Sequence, residues 1–432
     1  MNEKPWLNVV ALGHVGSGKS TLLGHLNYRL GGISKPQIEA FERDAQATGK
    51  RTFKYAWVFD RLASERQRGG TIFGGSRPCG ENPLRNRLHF IDAPGGRRFI
   101  RNTCRAIGQA DAGLLVVDAS SGVFEAGMKA GGQTREHVLI AASLGLQSLV
   151  VAVNKMDDKS VNYAEARYNE IKSQLLPLLA PFGFPVERMA YVPVSGYIGD
   201  HLQDRSVNMK WYMGPLLEAA LDDAAPALKS YGKALRLIVA GSFRIAGIGT
   251  VLAGKVAGGV LKPGMKVRIG PLSGAFETGS IEVHGKSRME AVAGDVVGVL
   301  VKGIRPGEVR RGWVLSDAES TPAKLCSSFG AFLAIRDCPT RIGAGYSPTI
   351  SFGAATVPCR IEAILSEADF TSRQPVGNQP ASLKNGMAAI VRITPMKPLC
   401  VEKASEYPAL GRFVMLDSRR TVGTGIVRDI RY

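Results

Sequence analysis

The 432-residue sequence lacks the features that mark membrane and secreted proteins. No apolar run approaches the roughly 18 residues of a membrane-spanning helix, so we expect no membrane association. The 6 cysteines are scattered, without a Cys-x-x-Cys pair, and indicate neither a zinc site nor a disulfide framework. This cysteine usage is typical of the reducing cytoplasm, where we expect the protein to reside.

Acidic residues are few compared with basic ones. The chain has 37 Asp and Glu against 55 Lys and Arg, which gives a formal net charge of +18 at pH 7. Such an excess favours a polyanionic partner, namely RNA, DNA or an acidic membrane surface, although a generally basic, solvated surface gives the same count. The length predicts about two to four domains.

A phosphate-binding loop is the strongest motif present. Residues Gly13 to Ser20 read G-x-x-x-x-G-K-S, between an apolar run that predicts a strand and leucines at helical spacing. A strand, a glycine loop and a helix in this order point backbone N–H groups at an anion. Lys19 would contact the β- and γ-phosphates, and Ser20 would bind Mg²⁺. The predicted phosphate-binding set is Gly13, His14, Val15, Gly16, Ser17, Gly18, Lys19, Ser20 and Thr21.

A second loop follows the apolar strand predicted from Leu88 to Ile91. It reads Asp92-Ala93-Pro94-Gly95. A carboxylate at this place can hold Mg²⁺, usually through water, and the peptide N–H that follows can contact a γ-phosphate. We therefore place Asp92 and Gly95 in the nucleotide site, while helix capping or turn formation is the alternative role for Asp92.

A third loop, Asn154-Lys155-Met156-Asp157, predicts recognition of guanine. The Asp157 carboxylate can accept the N1–H and the 2-amino group together, a pair that adenine does not offer. Asn154 would bond the base or tie the loops, and the Lys155 stem would cover the ring. A backbone N–H from the segment Ser195-Gly196 could reach the guanine O6. Helix capping or turn formation is the alternative role for Asp157.

The order of predicted elements gives the fold class. Strands and helices alternate up to about residue 222, which predicts an α/β domain with a mostly parallel sheet and helices on both faces. Beyond that point short β-branched runs alternate with glycine turns, as in compact β-barrels. We predict a P-loop domain over residues 1–225 and two β-barrel domains over residues 226–322 and 323–432.

Taken together, these motifs resemble the translational GTPases, and within them the elongation factor 1-alpha family. The resemblance covers nearly the whole chain. It is carried by Gly24–Arg29, Phe53–Val58, Gly132–His137, Gly247–Val251, Leu261–Met265, Arg310–Gly312, Tyr407–Phe413 and Arg420–Gly423. It implies a GTP-binding domain followed by two barrels, in agreement with the pattern above.

The resemblance also implies a function. A protein of this family binds GTP or GDP with Mg²⁺, hydrolyses GTP and delivers aminoacyl-tRNA to the ribosome, and it uses a guanine nucleotide exchange factor. We expect a monomer outside such complexes. By the same match Thr71 is the switch threonine that reaches Mg²⁺ in the GTP state, so the implied metal ligands are Ser20, Thr71 and Asp92.

Three departures from the family pattern fall around the γ-phosphate. The family has a water-positioning histidine where this chain has Gly96, an aspartate at Gly16 and a bulky aliphatic residue at Gly70. In addition, Arg98 replaces an acidic residue. Lys19 and Thr71 are the catalytic residues that remain. We therefore expect slow GTP hydrolysis, unless another residue, such as His14 or Arg97, replaces the histidine.

Other functions stay open at this point. One is a GTP-binding adaptor for RNA or protein with little hydrolysis, and another is a translational GTPase that delivers a release or rescue factor. Three arginine clusters favour RNA as the partner, although each one could instead be a solvated face or a set of ion pairs. They are Arg97, Arg98, Arg101 and Arg105; Arg305, Arg310 and Arg311; and Arg412, Arg419, Arg420, Arg428 and Arg431.

Overall fold

The protein is described by a computed structural model that covers residues 4–129, 131–224, 232–305 and 307–432. It forms two compact units, one containing most of the described chain up to residue 224 and the other containing the chain from residue 232 onwards. The predicted domain boundary at residue 225 lies outside the described residues. Within the described ranges, no helix combines the length and the apolar character needed to cross a membrane.

The first unit is built on a six-stranded sheet. Its strands are β1 (Trp6–Leu12), β2 (Ser76–Pro78), β3 (Arg87–Asp92), β4 (Ala112–Asp118), β5 (Ser148–Asn154) and β6 (Tyr191–Pro193), in the order β2-β3-β1-β4-β5-β6. Every neighbouring pair is parallel except β2 and β3. The continuous apolar runs of β1, β4 and β5 are fully buried, as expected for central parallel strands.

Within the described residues, the first unit also contains eight helices. They are α1 (Lys19–Arg29), α2 (Lys35–Ala47), α3 (Ala63–Arg68), α4 (Ile100–Gln109), α5 (Val123–Met128), α6 (Gln133–Ser143), α7 (Glu165–Leu179) and α8 (Leu217–Asp223). Short 3₁₀ segments occur at Arg51–Phe53, Ala56–Val58, Arg97–Phe99 and Ala180–Phe182. Because β1, β3, β4 and β5 are parallel, the loops at their carboxyl ends gather at one edge of the sheet.

The second unit begins with a β-rich domain. Its strands are β7 (Arg236–Ile245), β8 (Gly249–Gly258), β9 (Val260–Leu261), β10 (Lys266–Gly270), β11 (Phe276–Val283), β12 (Lys286–Arg288), β13 (Ala291–Val292), β14 (Val296–Lys302) and β15 (Val314–Asp317). The main sheet has the order β10-β15-β7-β8-β14-β11-β12, and β10 also pairs with β11. That extra pairing joins six of the strands into a ring, as predicted for a barrel.

The last domain is a closed six-stranded barrel in the order β16-β21-β19-β18-β22-β23. Its elements are β16 (Ser328–Ile335), β17 (Ile342–Gly343), β18 (Thr349–Phe352), β19 (Ala355–Glu367), β20 (Ser382–Leu383), β21 (Ala388–Pro395), α9 (Pro408–Gly411), β22 (Arg412–Asp417) and β23 (Arg420–Arg431). Phe329, Phe352 and Phe413 meet in its core. The predicted division after residue 322 falls between β15 and β16.

A buried ion pair joins the two β-rich domains. Arg236 of β7 donates to Glu402 over 2.7 Å, and its guanidinium lies 5.3 Å from the centre of the Tyr407 ring. The same guanidinium donates to the carbonyl oxygen of Thr321. Removal of one partner would leave a buried charge unpaired, so a substitution of either residue should destabilise this contact between the domains.

Candidate nucleotide-binding site

The phosphate loop connects β1 to α1 and depends on its first and last glycines. Gly13 has a φ of +133° and Gly18 a φ of +88°, both in the region that favours glycine. A Cβ at Gly13 would overlap the carbonyl oxygen of Val116, and one at Gly18 would overlap the amide nitrogen of Asn154. The backbone of this loop therefore approaches its neighbours too closely for any other residue.

Lys19 is buried at the start of α1 and is held by the loop itself. Its Nζ donates to the carbonyl oxygens of Gly13 at 3.1 Å and His14 at 2.7 Å. Burial lowers the pKa of Lys19 to about 8, and the nearby Asp92 opposes that shift. A Cβ at Gly95 would lie 2.5 Å from this Nζ. An anion bound beside the loop would favour the charged form of the lysine and raise its pKa.

Three oxygen-bearing side chains meet beside Lys19. The Ser20 Oγ donates to Asp92 Oδ2 at 2.6 Å, and the Thr71 Oγ1 lies 3.1 Å from each of these oxygens. The other carboxylate oxygen of Asp92 is buried and has no hydrogen-bond partner. Hydroxyl and carboxylate oxygens are the donors that Mg²⁺ prefers, so the implied metal fits this set.

Asp60 joins this cluster and was missed at the level of sequence. Its Oδ1 lies 3.2 Å from the Thr71 Oγ1, and its side chain is buried. Burial, with Asp92 and Glu65 close by, raises the pKa of Asp60 to about 7. The only signal for it is an acidic residue that follows the apolar run Trp57-Val58-Phe59. A cation at the cluster would favour its ionised form.

At the opposite end, the loops predicted to bind guanine are tied together. The Asn154 amide donates to the carbonyl oxygen of Ser17 at 2.8 Å and accepts the Gly196 N–H at 2.8 Å. Of the two roles left open for Asn154, this geometry matches the tie between loops. Ser195 is fully buried and orients the loop by accepting the N–H of Ile198.

Lys155 and Asp157 occupy the loop beyond β5. Lys155 adopts a φ of +63°, and its Nζ pairs with Asp118 Oδ2 at 2.6 Å. Asp118 lies at the end of β4. The sequence predicts the strand that ends there but no role for the Asp118 carboxylate. The Asp157 side chain is partly exposed, as a group that meets a ligand requires.

Two histidines lie on the α6 side of the phosphate loop. The Gly13 N–H donates to His137 Nδ1 at 3.0 Å, and burial, with Lys19 and His14 nearby, lowers the pKa of His137 to about 3. His137 is therefore a neutral acceptor that orients the loop, a role absent from the sequence predictions. His14 is partly exposed, and burial lowers its pKa as well.

The γ-phosphate side carries the three glycines that depart from the family pattern. A Cβ at Gly16 or Gly70 would meet no atom within 4 Å, and one at Gly96 would meet only Phe99 Cδ2 at 3.8 Å. Gly16 has a φ of +81°, whereas Gly96 has a φ of −92°. Packing therefore does not demand glycine at positions 70 and 96.

Arg97 was one of the two residues considered as a replacement for the histidine. Its guanidinium donates to the carbonyl oxygen of Gly131, and its Nε lies 3.9 Å from a carboxylate oxygen of Glu136. These contacts direct the side chain towards α6. Arg98, in contrast, is exposed.

Family models match all three parts of the chain. The model of the elongation factor Tu GTP-binding domain matches residues 4–227, that of elongation factor Tu domain 2 matches residues 249–316, and that of the eEF1A C-terminal domain matches residues 328–428. The chain belongs to this family of GTPases. The resemblance read from the motifs is thereby confirmed, and so is the predicted order of a GTPase domain and two β-rich domains.

Individual relatives agree with this assignment. The chain is 43% identical to elongation factor 1-alpha 1 of Euplotes crassus, with 99% of this chain and 97% of the relative covered. It is 42% identical to elongation factor 1-alpha of Tetrahymena pyriformis, with 99% and 98% covered. Within the family, the chain is a GTP-binding translation GTPase.

Solved structures share the fold at lower identity. The GTPase-like domain of S. cerevisiae Ski7, bound to GDP and inorganic phosphate, superposes with a TM-score of 0.80 at 16% identity and covers 99% of this chain and 98% of its own. Translation elongation factor SelB from Methanococcus maripaludis, in complex with the GTP analogue GPPNHP, gives 0.71 at 20% identity, with 100% and 80% covered. At these identities the similarity concerns the fold alone.

Proposed function

We propose that this GTPase delivers aminoacyl-tRNA to the ribosome and hydrolyses GTP slowly. The observation that supports delivery is the identity of 42–43% to elongation factors 1-alpha over 99% of the chain, the β-rich domains included. A similarity of this extent covers the surfaces of all three domains as well as the nucleotide site.

Each part of the nucleotide has a proposed partner. Asp157 accepts the N1–H and 2-amino group of guanine, Lys19 and the phosphate loop hold the phosphates, and Gly95 contacts the third phosphate. Ser20, Thr71 and Asp92 hold Mg²⁺, which when bound neutralises charge on the phosphates. Together these residues bind and orient GTP.

We expect slow hydrolysis because no side chain is available to orient the attacking water. A positioned water-orienting group contributes roughly 10² to 10⁴ in rate, and Gly96 offers only its backbone. The Arg97 guanidinium is engaged with Gly131 and Glu136. Neither residue presents a side chain to that water. We therefore expect GTP to bind normally and to be hydrolysed slowly.

A pocket in the first β-rich domain supports binding of an aminoacylated RNA end. It encloses about 590 Å³ and is lined by Arg244, Lys302 and Arg305 together with apolar residues such as Ile248. Phe243, on the adjoining stretch of β7, is 55% exposed. Cationic groups suit phosphates, while exposed apolar groups suit an esterified amino acid, so one pocket offers both.

The predicted arginine clusters differ in how far their side chains are engaged within the protein. Arg311 donates to the carbonyl oxygen of Ala240, Arg428 donates to that of Arg373, and burial lowers the pKa of Arg412. Arg419 and Arg420 are exposed at the turn between β22 and β23. In the last domain the exposed turn is therefore the better candidate for phosphate contacts.

A second candidate function is a GTP-binding adaptor with little hydrolysis. The open positions Gly70 and Gly96 favour it, because nothing in their packing explains the absence of a side chain. An adaptor would use the GTP-bound form itself to recruit RNA or protein, without a need for turnover.

One set of measurements separates the two functions. Single-turnover GTP hydrolysis with and without ribosomes reports turnover, and aminoacyl-tRNA affinity over a salt series, with GTP or GDP bound, reports delivery. For a carrier we expect stronger binding in the GTP state and a log–log salt slope near −0.7 to −0.9 per neutralised phosphate. Indifference to both salt and nucleotide would leave only the adaptor.

Further features of this function stay proposals. We expect an exchange factor to assist the release of GDP, because Lys19 and the phosphate loop enclose the phosphates. We further propose a monomer outside complexes, a cytoplasmic location and domain limits near residues 225 and 322.

A further inference from the structure

The end of the nucleotide site beyond Lys19 is lined by backbone instead of side chains. A Cβ at Gly95 would lie 2.5 Å from Lys19 Nζ and 3.0 Å from the Cα of Val15, so Gly95 lies directly against the lysine and the phosphate loop. Gly96 and Gly16 directly follow Gly95 and Val15, respectively. Two separate segments therefore present a glycine at the same end of the site.

Gly70 adds a third segment. It precedes Thr71, whose Oγ1 lies 3.1 Å from Ser20 Oγ at the start of α1. Neither Gly70 nor Gly96 is buried, and a Cβ at either would have open space around it. At this end of the site the three glycines leave an opening, since none of them is buried and a Cβ at any of them would meet at most one atom within 4 Å.

A buried polar atom indicates that a ligand belongs at the closed side of this opening. The Oδ1 of Asp92 has no hydrogen-bond partner, and the side chain is fully buried. A buried carboxylate oxygen is normally satisfied, so it calls for a bound cation such as the Mg²⁺ that accompanies a nucleotide. The ligand is therefore held firmly on one side and meets solvent on the other.

We propose that this site accepts guanosine triphosphates whose γ-phosphate is esterified to a further group, including a second nucleoside. The inference rests on the proposed function, in which Lys19 holds the phosphates and Gly95 contacts the third one. Esterification keeps the guanine, the three phosphates and the contacts of Lys19. The added group extends through the opening into solvent. In a site with side chains at positions 70 and 96, that group would collide with them.

The test measures displacement of a fluorescent GDP analogue from the full chain. Competing ligands are GTP, its γ-aminohexyl ester and its γ-ester with the 5′-hydroxyl of adenosine, with GDP and ATP as references. We expect both esters to bind within about threefold of GTP, because the added group stays in water and the third phosphate keeps one negative charge to interact with Lys19. Esters that bind more than about thirtyfold weaker than GTP would overturn the proposal.

A matched pair of variants sharpens the test. Gly70→Ile combined with Gly96→His should leave the affinities for GDP and GTP unchanged and weaken both esters by about tenfold or more, the usual effect of a steric mismatch in a pocket. Gly70→Ala with Gly96→Ala, whose side chains are too short to close the opening, should retain the esters. Equal ester affinity in the two double variants would contradict the proposal.

Two further measurements separate a failure of this proposal from misfolding and from a failure of the proposed function. The GDP affinity of each variant reports whether it folds, and Gly70→Ile alone carries the same test if the double variant does not. Equal affinity of the unaltered chain for GTP and ATP would instead overturn the proposed role of Asp157, whatever the esters do.

Discussion

The two ends of the nucleotide site use glycine for opposite reasons. At the base-proximal end, a Cβ at Gly18 would overlap Asn154, and one at Gly196 would lie 3.1 Å from both Leu22 Cα and Asn154 Oδ1. At the γ-phosphate end, Gly70 and Gly96 stand in open space. Glycine is thus required by packing at the first end, while at the second it marks side chains that are absent.

This difference separates recognition from chemistry. The loops proposed to bind guanine and the inner phosphates are tied by hydrogen bonds of Gly13, Lys19 and Asn154, so they form a preorganised site. The positions that would orient an attacking water carry no side chain. We therefore expect changes at the packed end to alter binding and changes at the open end to alter turnover, and the following experiments probe that separation.

The largest effect is expected for Asp157→Asn. Asparagine keeps one acceptor for guanine but presents an NH₂ donor to the second guanine donor, which should weaken GTP binding by roughly 10⁴-fold and improve binding of xanthosine triphosphate, whose 2-carbonyl accepts from that NH₂. Calorimetric titration with GTP, ATP and xanthosine triphosphate measures this. Asp158→Asn is the matched control, because Asp158 accepts from Ser160 within the same loop. A chain that binds GTP and ATP equally would end the assignment.

At the open end, Gly96→His should raise ribosome-stimulated GTP hydrolysis by roughly 10² to 10⁴. The position accepts a side chain, since its φ is −92° and only Phe99 lies near. The affinity for GTP should stay the same. The Gly96→Ala variant should hydrolyse GTP as slowly as the unaltered chain. Single-turnover hydrolysis provides the measurement. If the histidine leaves the rate unchanged, the missing side chain is not what limits turnover.

A pair of alanine substitutions compares the two ends directly. Gly18→Ala places a Cβ against Asn154 at a φ of +88°, and overpacking of roughly 1–3 kcal/mol should weaken GDP binding about 10- to 100-fold. Gly70→Ala should change the affinity for GDP by less than about twofold, as is usual where no contact is disturbed. Both affinities come from displacement of a fluorescent GDP analogue. Equal effects would show that the ends do not differ in packing.

The smallest effect concerns pH. In the nucleotide-free protein, burial lowers the pKa of Lys19 to about 8, whereas bound phosphate favours its charged form. Below pH 8 the lysine is already protonated, so GDP affinity should be flat. Above pH 8 binding must take up a proton, and affinity should fall by up to about tenfold per pH unit.

Lys19→Arg is the control for this pH dependence, because arginine stays charged throughout the range. Titration of the guanine base affects both proteins alike. The difference between their GDP affinities from pH 7 to 9 therefore reports the titration of Lys19. A proton uptake on binding should also appear in calorimetry as a dependence on the buffer at pH 8.5. Parallel pH profiles for the two proteins would mean that Lys19 does not titrate there.

Much of the fold was predictable because its signals are local. The strands β1, β3, β4 and β5 are rich in buried apolar residues, and each ends at a loop of distinctive composition. The glycine-punctuated β-branched runs after residue 232 likewise predict two β-rich domains. The predicted ligands on the phosphate loop, at Asp92 and at Asp157 follow from chemistry that a few neighbouring residues express.

The rest of the site depends on contacts between residues far apart in the chain. Asp60, Asp118 and His137 have no motif of their own, and each receives its role from a partner on another segment: Thr71, Lys155 and Gly13, respectively. A sequence shows which groups are available, but their distances arise only when the sheet brings the loops to one edge. For the same reason, only packing distinguishes the enclosed Gly18 from the open Gly70 and Gly96.

The sequence by itself determined the nucleotide class and the order of domains, since both rest on residue types at short spacing. The tertiary structure decided which side chains act together. It engaged Arg97 with Gly131 and Glu136, made His137 a neutral acceptor for the phosphate loop and left the γ-phosphate end open. Burial and distance set these roles, and neither is a property of any segment taken alone.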